Sequence, residues 1–90
     1  MEFEWDDAKA AANRRKHGVS FDEAATVFDD PLVNIFHDEE HSVVEDRWIA
    51  IGGSNRGRLL VVSHAYREDR TRIISARKAT ANEVREYEER

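Results

Sequence analysis

Five side chains in the middle and second half of the sequence could together cleave a phosphodiester bond. They are Glu45, Arg47, Tyr66, Arg67 and Arg77. Guanidinium groups bind a scissile phosphate and neutralise the charge that develops on it. A carboxylate can take the proton of a ribose 2′-hydroxyl, and another acid must protonate the departing 5′-oxygen. Such a set predicts RNA cleavage that needs no metal ion.

The same residues also have simpler explanations. Glu45 and Arg47 are two positions apart, so in a strand they would share one face of the sheet. A salt bridge across the sheet would account for them equally well. Arg77 lies where a strand meets a helix, and it could be a surface residue or one that stabilises the helix end. Tyr66 could stack a base or could be core material.

Lys16 and His17 form a second candidate group at the end of a predicted helix. A histidine there can carry a charge near neutral pH, because the helix C-terminus stabilises cations. The pair could therefore contact a substrate or donate a proton. Alternatively, it is a solvent-exposed pair before Gly18, which ends the helix.

The segment His37-Asp-Glu-Glu-His41 fits the zinc-hydrolase pattern H-x-x-E-H. That pattern binds zinc only on a helix, where the two histidines share a face. Here strand-like sequence precedes and follows it, so a solvated loop is expected. No metal or other cofactor is predicted, and a small zinc hydrolase remains an alternative.

Charge is unevenly distributed along the chain, whose net charge is −5. From Gly18 to Asp46 there are nine acidic residues and no lysine or arginine, whereas Arg47 to Lys78 holds eight basic residues and two acids. This asymmetry favours one surface for a polyanion and another for a basic partner. The alternative is that these charges pair with one another once the chain folds.

Length and hydropathy place further limits on the protein. With 90 residues the chain can build only one core, so one domain is expected over residues 1–90. There is no cysteine, which excludes disulfides and thiolate metal sites. The longest apolar run, Leu59–Val62, is too short to span a membrane, and the acidic N-terminus is unlike a signal peptide. A cytoplasmic protein without membrane contact is expected.

Helix signals dominate the first third of the chain. Asp6 is a suitable N-cap for a helix through Ala8–Lys16. Ser20–Glu23 is a capping box for a second helix, which must end near Pro31 because proline cannot continue it. Phe3–Trp5 is either a short edge strand or an apolar anchor.

Strand signals follow, and a final helix closes the chain. Alternating patterns predict strands at Leu32–Phe36, Val43–Gly52, Leu59–Tyr66 and Thr71–Lys78. The capping box Thr80–Glu83 then opens a C-terminal helix. This order predicts an α+β fold with N-terminal helices, a three- to four-stranded antiparallel sheet and a C-terminal helix. One face of the sheet would stay partly open.

Three segments resemble the BrnT-type toxins of bacterial type II toxin–antitoxin systems: Phe3–Pro31, Glu45–Ser54 and Arg72–Glu88. The most specific matches are K-H-G-V-x-F from Lys16, E-x-R-W from Glu45 and R-I-I-S-A-R from Arg72. The resemblance implies a RelE-like fold and a ribonuclease that halts growth. It also implies a BrnA-type antitoxin that covers the toxin, forms a heterotetramer with it and alone contacts operator DNA.

Residue roles follow from the resemblance in the same way. Arg67 and Arg77 would contact phosphate and stabilise the transition state, and Glu45 would be the general base oriented by Arg47. Lys16 and His17 would be substrate contacts or supply the acid. The alternative to this enzyme is a non-catalytic interaction module that merely pairs with a DNA-binding subunit.

Overall fold

The first two helices begin and end where their capping residues predict. The computed structural model describes residues 1–89, and its first helix, α1, is Asp7–His17. The Asp6 side chain accepts a hydrogen bond from the Lys9 backbone N–H, and Gly18 ends α1 with a φ of 69°. The second helix, α2, is Phe21–Ala25, and the Ser20 hydroxyl caps it by accepting from Glu23 N–H. A 3₁₀ turn at Thr26–Asp29 continues α2 towards Pro31.

A five-stranded mixed sheet forms the rest of the fold. In chain order the strands are β1 (Glu2–Glu4), β2 (Asn34–His37), β3 (Trp48–Gly53), β4 (Leu59–Arg67) and β5 (Arg70–Lys78). Across the sheet the order is β1-β5-β4-β3-β2, and every pair is antiparallel except β1 with β5. The predicted α+β class is confirmed. The three- to four-stranded antiparallel sheet of a RelE-like fold is wrong, because β1 adds a parallel fifth strand before the helices.

The core lies between one face of the sheet and the two N-terminal helices. Val19, Phe21, Ala24 and Val27 supply the helical side, and the strands contribute Ala50, Leu60, Val62, Ile73 and Ala76. All nine side chains are almost fully buried. Their removal from water is the main favourable term in folding a chain of this size.

The C-terminal helix α3 (Ala81–Glu89) lies beside the other face of the sheet. Its Glu83, Glu86 and Tyr87 border a small cavity together with Phe36 and Ile51. The Tyr87 hydroxyl donates a hydrogen bond to Asp30 Oδ2 at 2.5 Å. Only part of this face is therefore covered, as the sequence predicted.

A bulge in β5 changes which residues share a face. Ser63 pairs with Ser75 while the next residue, His64, pairs with Ile73, so Ile74 is an extra residue. Regular alternation along Thr71–Lys78 predicts that Arg77 shares a face with Ile73 and lies opposite Arg72, and this prediction is therefore wrong. Ile73 is in the core, and alternation from it places Arg72 on the open face with Arg77. The expected opposition of these two arginines assumed a regular strand.

The segment before β3 is a closed loop instead of a strand. Asp38 N–H donates to the Arg47 carbonyl at 2.9 Å, and Arg47 N–H donates to the Ser42 hydroxyl at 2.9 Å. The predicted strand Val43–Gly52 is therefore wrong over its first five residues. Val43 and Val44 imitate a strand pattern, yet they are 90% and 96% exposed.

Within residues 1–89, no helix combines the length and apolar character needed to cross a bilayer.

Candidate active site

A cavity of about 410 Å³ opens on the sheet face opposite the core. It lies where the last turn of α1 and the loop before β3 meet strands β3, β4 and β5. Its polar lining consists of Lys16, His17, Asp38, His41, Arg47, Ser63, Ser75 and Arg77. The cavity thus brings together four predicted site residues from three separate parts of the chain, namely Lys16, His17, Arg47 and Arg77.

Asn13 holds the end of α1 against β5. Its buried side-chain amide donates to the carbonyls of Val19 and Ala76 at 3.0 and 2.9 Å, and it accepts from Ala76 N–H at 3.1 Å. These bonds satisfy the backbone N–H and carbonyl of Ala76, which lie on the outer edge of β5 beyond the residues that pair with β1. They also fix Lys16 and His17 beside Arg77. Sequence reasoning missed Asn13, although asparagine is unfavourable inside a helix unless its side chain has a partner.

Arg77 makes a bidentate ion pair with Glu83 at the start of α3. Its two terminal nitrogens lie 2.8 and 2.9 Å from the carboxylate oxygens. Glu83 also accepts from Thr80 N–H at 2.8 Å, which confirms the predicted capping box. The hydrogen bond from Arg77 is the main reason that the pKa of Glu83 falls to about 2. The pair orients the guanidinium and leaves 42% of the Arg77 side chain exposed to the cavity and solvent.

The ion pair predicts a loss of stability at acid pH. Because the folded-state pKa of Glu83 is lowered from 4.5 to about 2, its stabilisation is complete above pH 4.5 and is lost as the pH falls towards 2. We expect Glu83→Gln to lower the free energy of unfolding by about 1–2 kcal/mol at pH 7, after solvent screening is allowed for. Urea unfolding at pH 7 and pH 3 measures this effect. A difference between wild type and variant that is equal at both pH values would contradict it.

Arg47 lines the cavity and carries one unsatisfied donor. Its Nε–H is buried and has no hydrogen-bond partner within residues 1–89. A buried guanidinium donor without an acceptor is costly, and the positive charge of Arg47 beside the cavity favours an anionic ligand there. The predicted contact of Arg47 with Glu45 is not formed.

Glu45 and Arg67 lie outside the cavity. They form their own weak ion pair, with 4.0 Å between Arg67 Nε and Glu45 Oε2. Alternation along β4 places Arg67 on the same face as Ser63, four residues further on. That spacing corresponds to about 13 Å along the strand. Any contact that Glu45 and Arg67 make with a substrate therefore lies on the surface beside the cavity and not within it.

Tyr66 lies on the other face of β4, among aromatic residues. Its hydroxyl lies 3.1 Å from Nε2 of His64, and its ring contacts Trp48. Burial lowers the pKa of His64 and raises that of Tyr66. The neutral His64 ring donates a hydrogen bond through Nδ1 to the Val62 carbonyl, and its Nε2 accepts a hydrogen bond from the Tyr66 hydroxyl. Tyr66 is therefore separated from the arginines of the open face.

The two histidines of the H-x-x-E-H segment point to different carboxylates. His37 Nε2 lies 3.1 Å from Asp46, and His41 Nδ1 lies 2.9 Å from Asp38. In the described part of the chain, no group of three or more histidine, cysteine or carboxylate side chains could hold a metal ion. The zinc-hydrolase alternative therefore lacks a ligand set there.

Comparison with known proteins agrees with the resemblance seen in the sequence. The family model described as the ribonuclease toxin BrnT of a type II toxin–antitoxin system matches residues 5–83. The chain belongs to the BrnT family. The crystal structure of the Brucella abortus ribonuclease toxin BrnT is similar, with a TM-score of 0.70 and 25% sequence identity. The alignment covers 89% of this chain and 97% of that one. No curated protein matches the sequence significantly.

Membership of the BrnT family places the chain among the toxins of type II systems, and such toxins are paired with an antitoxin. The mixed sheet described above is thus the fold of a ribonuclease toxin family.

Proposed function

We propose that this chain is a toxin that cleaves RNA without a metal ion. The observation that carries the proposal is the cavity in which Lys16, His17, Arg47 and Arg77 converge. A concentration of cations in one concave site of an acidic protein suits a polyanionic substrate. Family membership supports ribonuclease activity in general.

The reaction is a transesterification within the RNA chain. The 2′-oxygen forms a bond to the adjacent phosphorus, and the bond from phosphorus to the 5′-oxygen breaks. A base takes the 2′-hydroxyl proton, and an acid gives a proton to the departing oxygen. The products are a 2′,3′-cyclic phosphate and a 5′-hydroxyl, so no water or metal enters this step.

The cavity residues divide these tasks by their chemistry. Arg47 and Arg77 donate to the non-bridging phosphate oxygens, where charge increases in the transition state. Lys16 adds a compact positive charge beside them. His17 lies in the last turn of α1 and lines the cavity, and it protonates the 5′-oxygen.

Residues outside the cavity extend the substrate surface. Arg67 lies on the same face and contacts a neighbouring phosphate, whereas a base contact by Tyr66, on the other face of β4, stays a prediction. The role of Glu45 as general base stays a prediction. It is 35% exposed and is held near Arg67.

The partner in this proposal is a BrnA-type antitoxin that assembles with the toxin as a heterotetramer in the cytoplasm. The antitoxin, and not this chain, contacts operator DNA. Support comes from the block between Gly18 and Asp46, which holds nine acids and no lysine or arginine. Its exposed acids, which are Asp22, Asp29, Glu39, Glu40 and Asp46, suit a basic protein partner and repel a DNA backbone.

Expression of the chain with and without the neighbouring gene product tests this function. We expect growth arrest by the toxin alone, rescue by its neighbour, and degradation of RNA that persists when EDTA is added to the purified toxin. An Arg77→Ala control should be harmless. Strong induction without toxicity, together with intact RNA, would contradict the enzyme and favour a non-catalytic interaction module.

A further inference from the structure

Two residues of the loop before β3 form a hydrogen-bonded pair at the edge of the cavity. His41 Nδ1 lies 2.9 Å from Oδ2 of Asp38, and both side chains line the cavity. A carboxylate only accepts hydrogen bonds, so the imidazole proton must be on Nδ1 when the ring is neutral. This tautomer leaves the lone pair of Nε2 free. We propose that His41 is the general base of the RNA cleavage and that Asp38 positions it.

The loop is built to hold this pair in place. The Asp38 carbonyl accepts from the Ser42 hydroxyl at 2.5 Å and from His41 N–H at 3.3 Å. The same serine hydroxyl accepts from Arg47 N–H, so the loop is closed on the residue that enters the cavity. Asp38 is only 16% exposed, whereas His41 is 61% exposed. A fixed carboxylate and an accessible imidazole are the arrangement that a positioned base requires.

The inference rests on the proposed function and assigns the proton acceptor to His41 in place of Glu45, which lies outside the cavity. His41 takes the 2′-hydroxyl proton on Nε2 as the 2′-oxygen bonds to phosphorus, and the resulting imidazolium is stabilised by Asp38. His17, which also lines the cavity, protonates the 5′-oxygen as the bond to phosphorus breaks. Both protons are therefore accounted for, and no co-reactant is needed. The other titratable groups that line the cavity with His41 and Asp38 are Lys16, His17, Arg47 and Arg77.

His37 provides a matched control within the same segment. It is also hydrogen-bonded to a carboxylate, at 3.1 Å from Asp46, but it contacts the Trp48 ring and does not line the cavity. A histidine that matters only for folding or for the charge of the segment would give the same result at both positions. Catalysis by His41 predicts that the two positions differ.

The test uses purified toxin and an RNA oligonucleotide in EDTA, with single-turnover rates measured from about pH 5 to 9. We expect His41→Ala and His41→Gln to lower the rate at least about 100-fold and to remove its decline at low pH. Added imidazole should restore part of the rate of His41→Ala. Asp38→Asn should lower the rate about tenfold and move the decline towards lower pH, because the imidazolium loses its anion. His37→Ala should stay within about twofold of wild type.

Several outcomes would overturn the inference. A His41→Gln rate within about threefold of wild type would exclude His41 as the base. The inference would also fail if the rate of Glu45→Gln no longer declined at low pH while the rates of the His41 variants still did. That result would assign the base to Glu45. An unchanged pH profile in Asp38→Asn would exclude its positioning role. Wild-type toxin that leaves RNA intact would refute the proposed function as well, whereas active wild type with indifferent His41 variants would refute this inference alone.

Discussion

Replacing Arg77 with alanine is expected to lower the rate of RNA cleavage by about 10²–10³-fold, the range for deleted electrostatic donors. Arg77 lines the cavity, and Glu83 orients its planar guanidinium fork by accepting one N–H from each terminal nitrogen. A donor held in this way needs no reorganisation when charge develops on the phosphate. The single-turnover rate at saturating enzyme measures the effect, with circular dichroism as the check on folding.

Two further variants separate the fork from the charge. Arg77→Lys keeps the positive charge but loses the bidentate geometry, so it should recover only a small part of the activity. Arg70→Ala removes the same charge from the opposite end of β5, outside the cavity, and should change the rate by less than about threefold. Equal losses in Arg77→Ala and Arg70→Ala would show that only the overall charge matters. Unfolding of Arg77→Ala would instead mark a structural role.

Replacing Glu23 with alanine is expected to lower the free energy of unfolding by about 3 kcal/mol. The Glu23 side chain is 4% exposed and accepts hydrogen bonds from Ser54 Oγ at 2.7 Å and from Arg58. The hydrogen bond from Arg58 is the main cause of its lowered pKa. This contact joins α2 to the connection between β3 and β4. Its removal leaves the Arg58 guanidinium without its partner in a partly buried position.

Urea unfolding of Glu23→Ala, with Arg56→Ala as the control, measures the effect. Arg56 lies 3.8 Å from the same carboxylate, but its side chain is 69% exposed. Its loss should therefore cost less than about 1 kcal/mol. A loss of stability in Glu23→Ala no larger than that of the control would show that the buried pair contributes little.

Local patterns predicted the helices well because their signals are local. Asp6, Ser20 and Thr80 make the capping bonds that their positions predict. The short strand β1 differs, since its partner β5 lies nearly seventy residues further along the chain. Three residues carry too little pattern to distinguish an edge strand from an apolar anchor, and the parallel pairing depends entirely on tertiary structure.

The arrangement of the site was harder to predict than its residue types. The exposed Val43 and Val44 imitate a strand, so Glu45 and Arg47 were expected side by side. The hydroxyl of Ser42 instead closes a loop that sends Arg47 into the cavity and leaves Glu45 near Arg67.

His41 illustrates the remaining difficulty. Its H-x-x-E-H motif fits a zinc-hydrolase pattern and otherwise predicts a solvated loop, since the pattern does not indicate which carboxylate a histidine contacts. The structure places it against Asp38 at the cavity edge. Residues far apart in sequence, such as Lys16 and Arg77, meet there only because Asn13 ties α1 to β5.

The end groups of the RNA fragments test the central claim most directly. Purified toxin is incubated in EDTA with an RNA oligonucleotide and with a copy carrying 2′-deoxyribose at the cleaved position. The account predicts a 2′,3′-cyclic phosphate and a 5′-hydroxyl from the first substrate and no cleavage of the second. A 3′-hydroxyl with a 5′-phosphate, or cleavage of the deoxy copy, would contradict it.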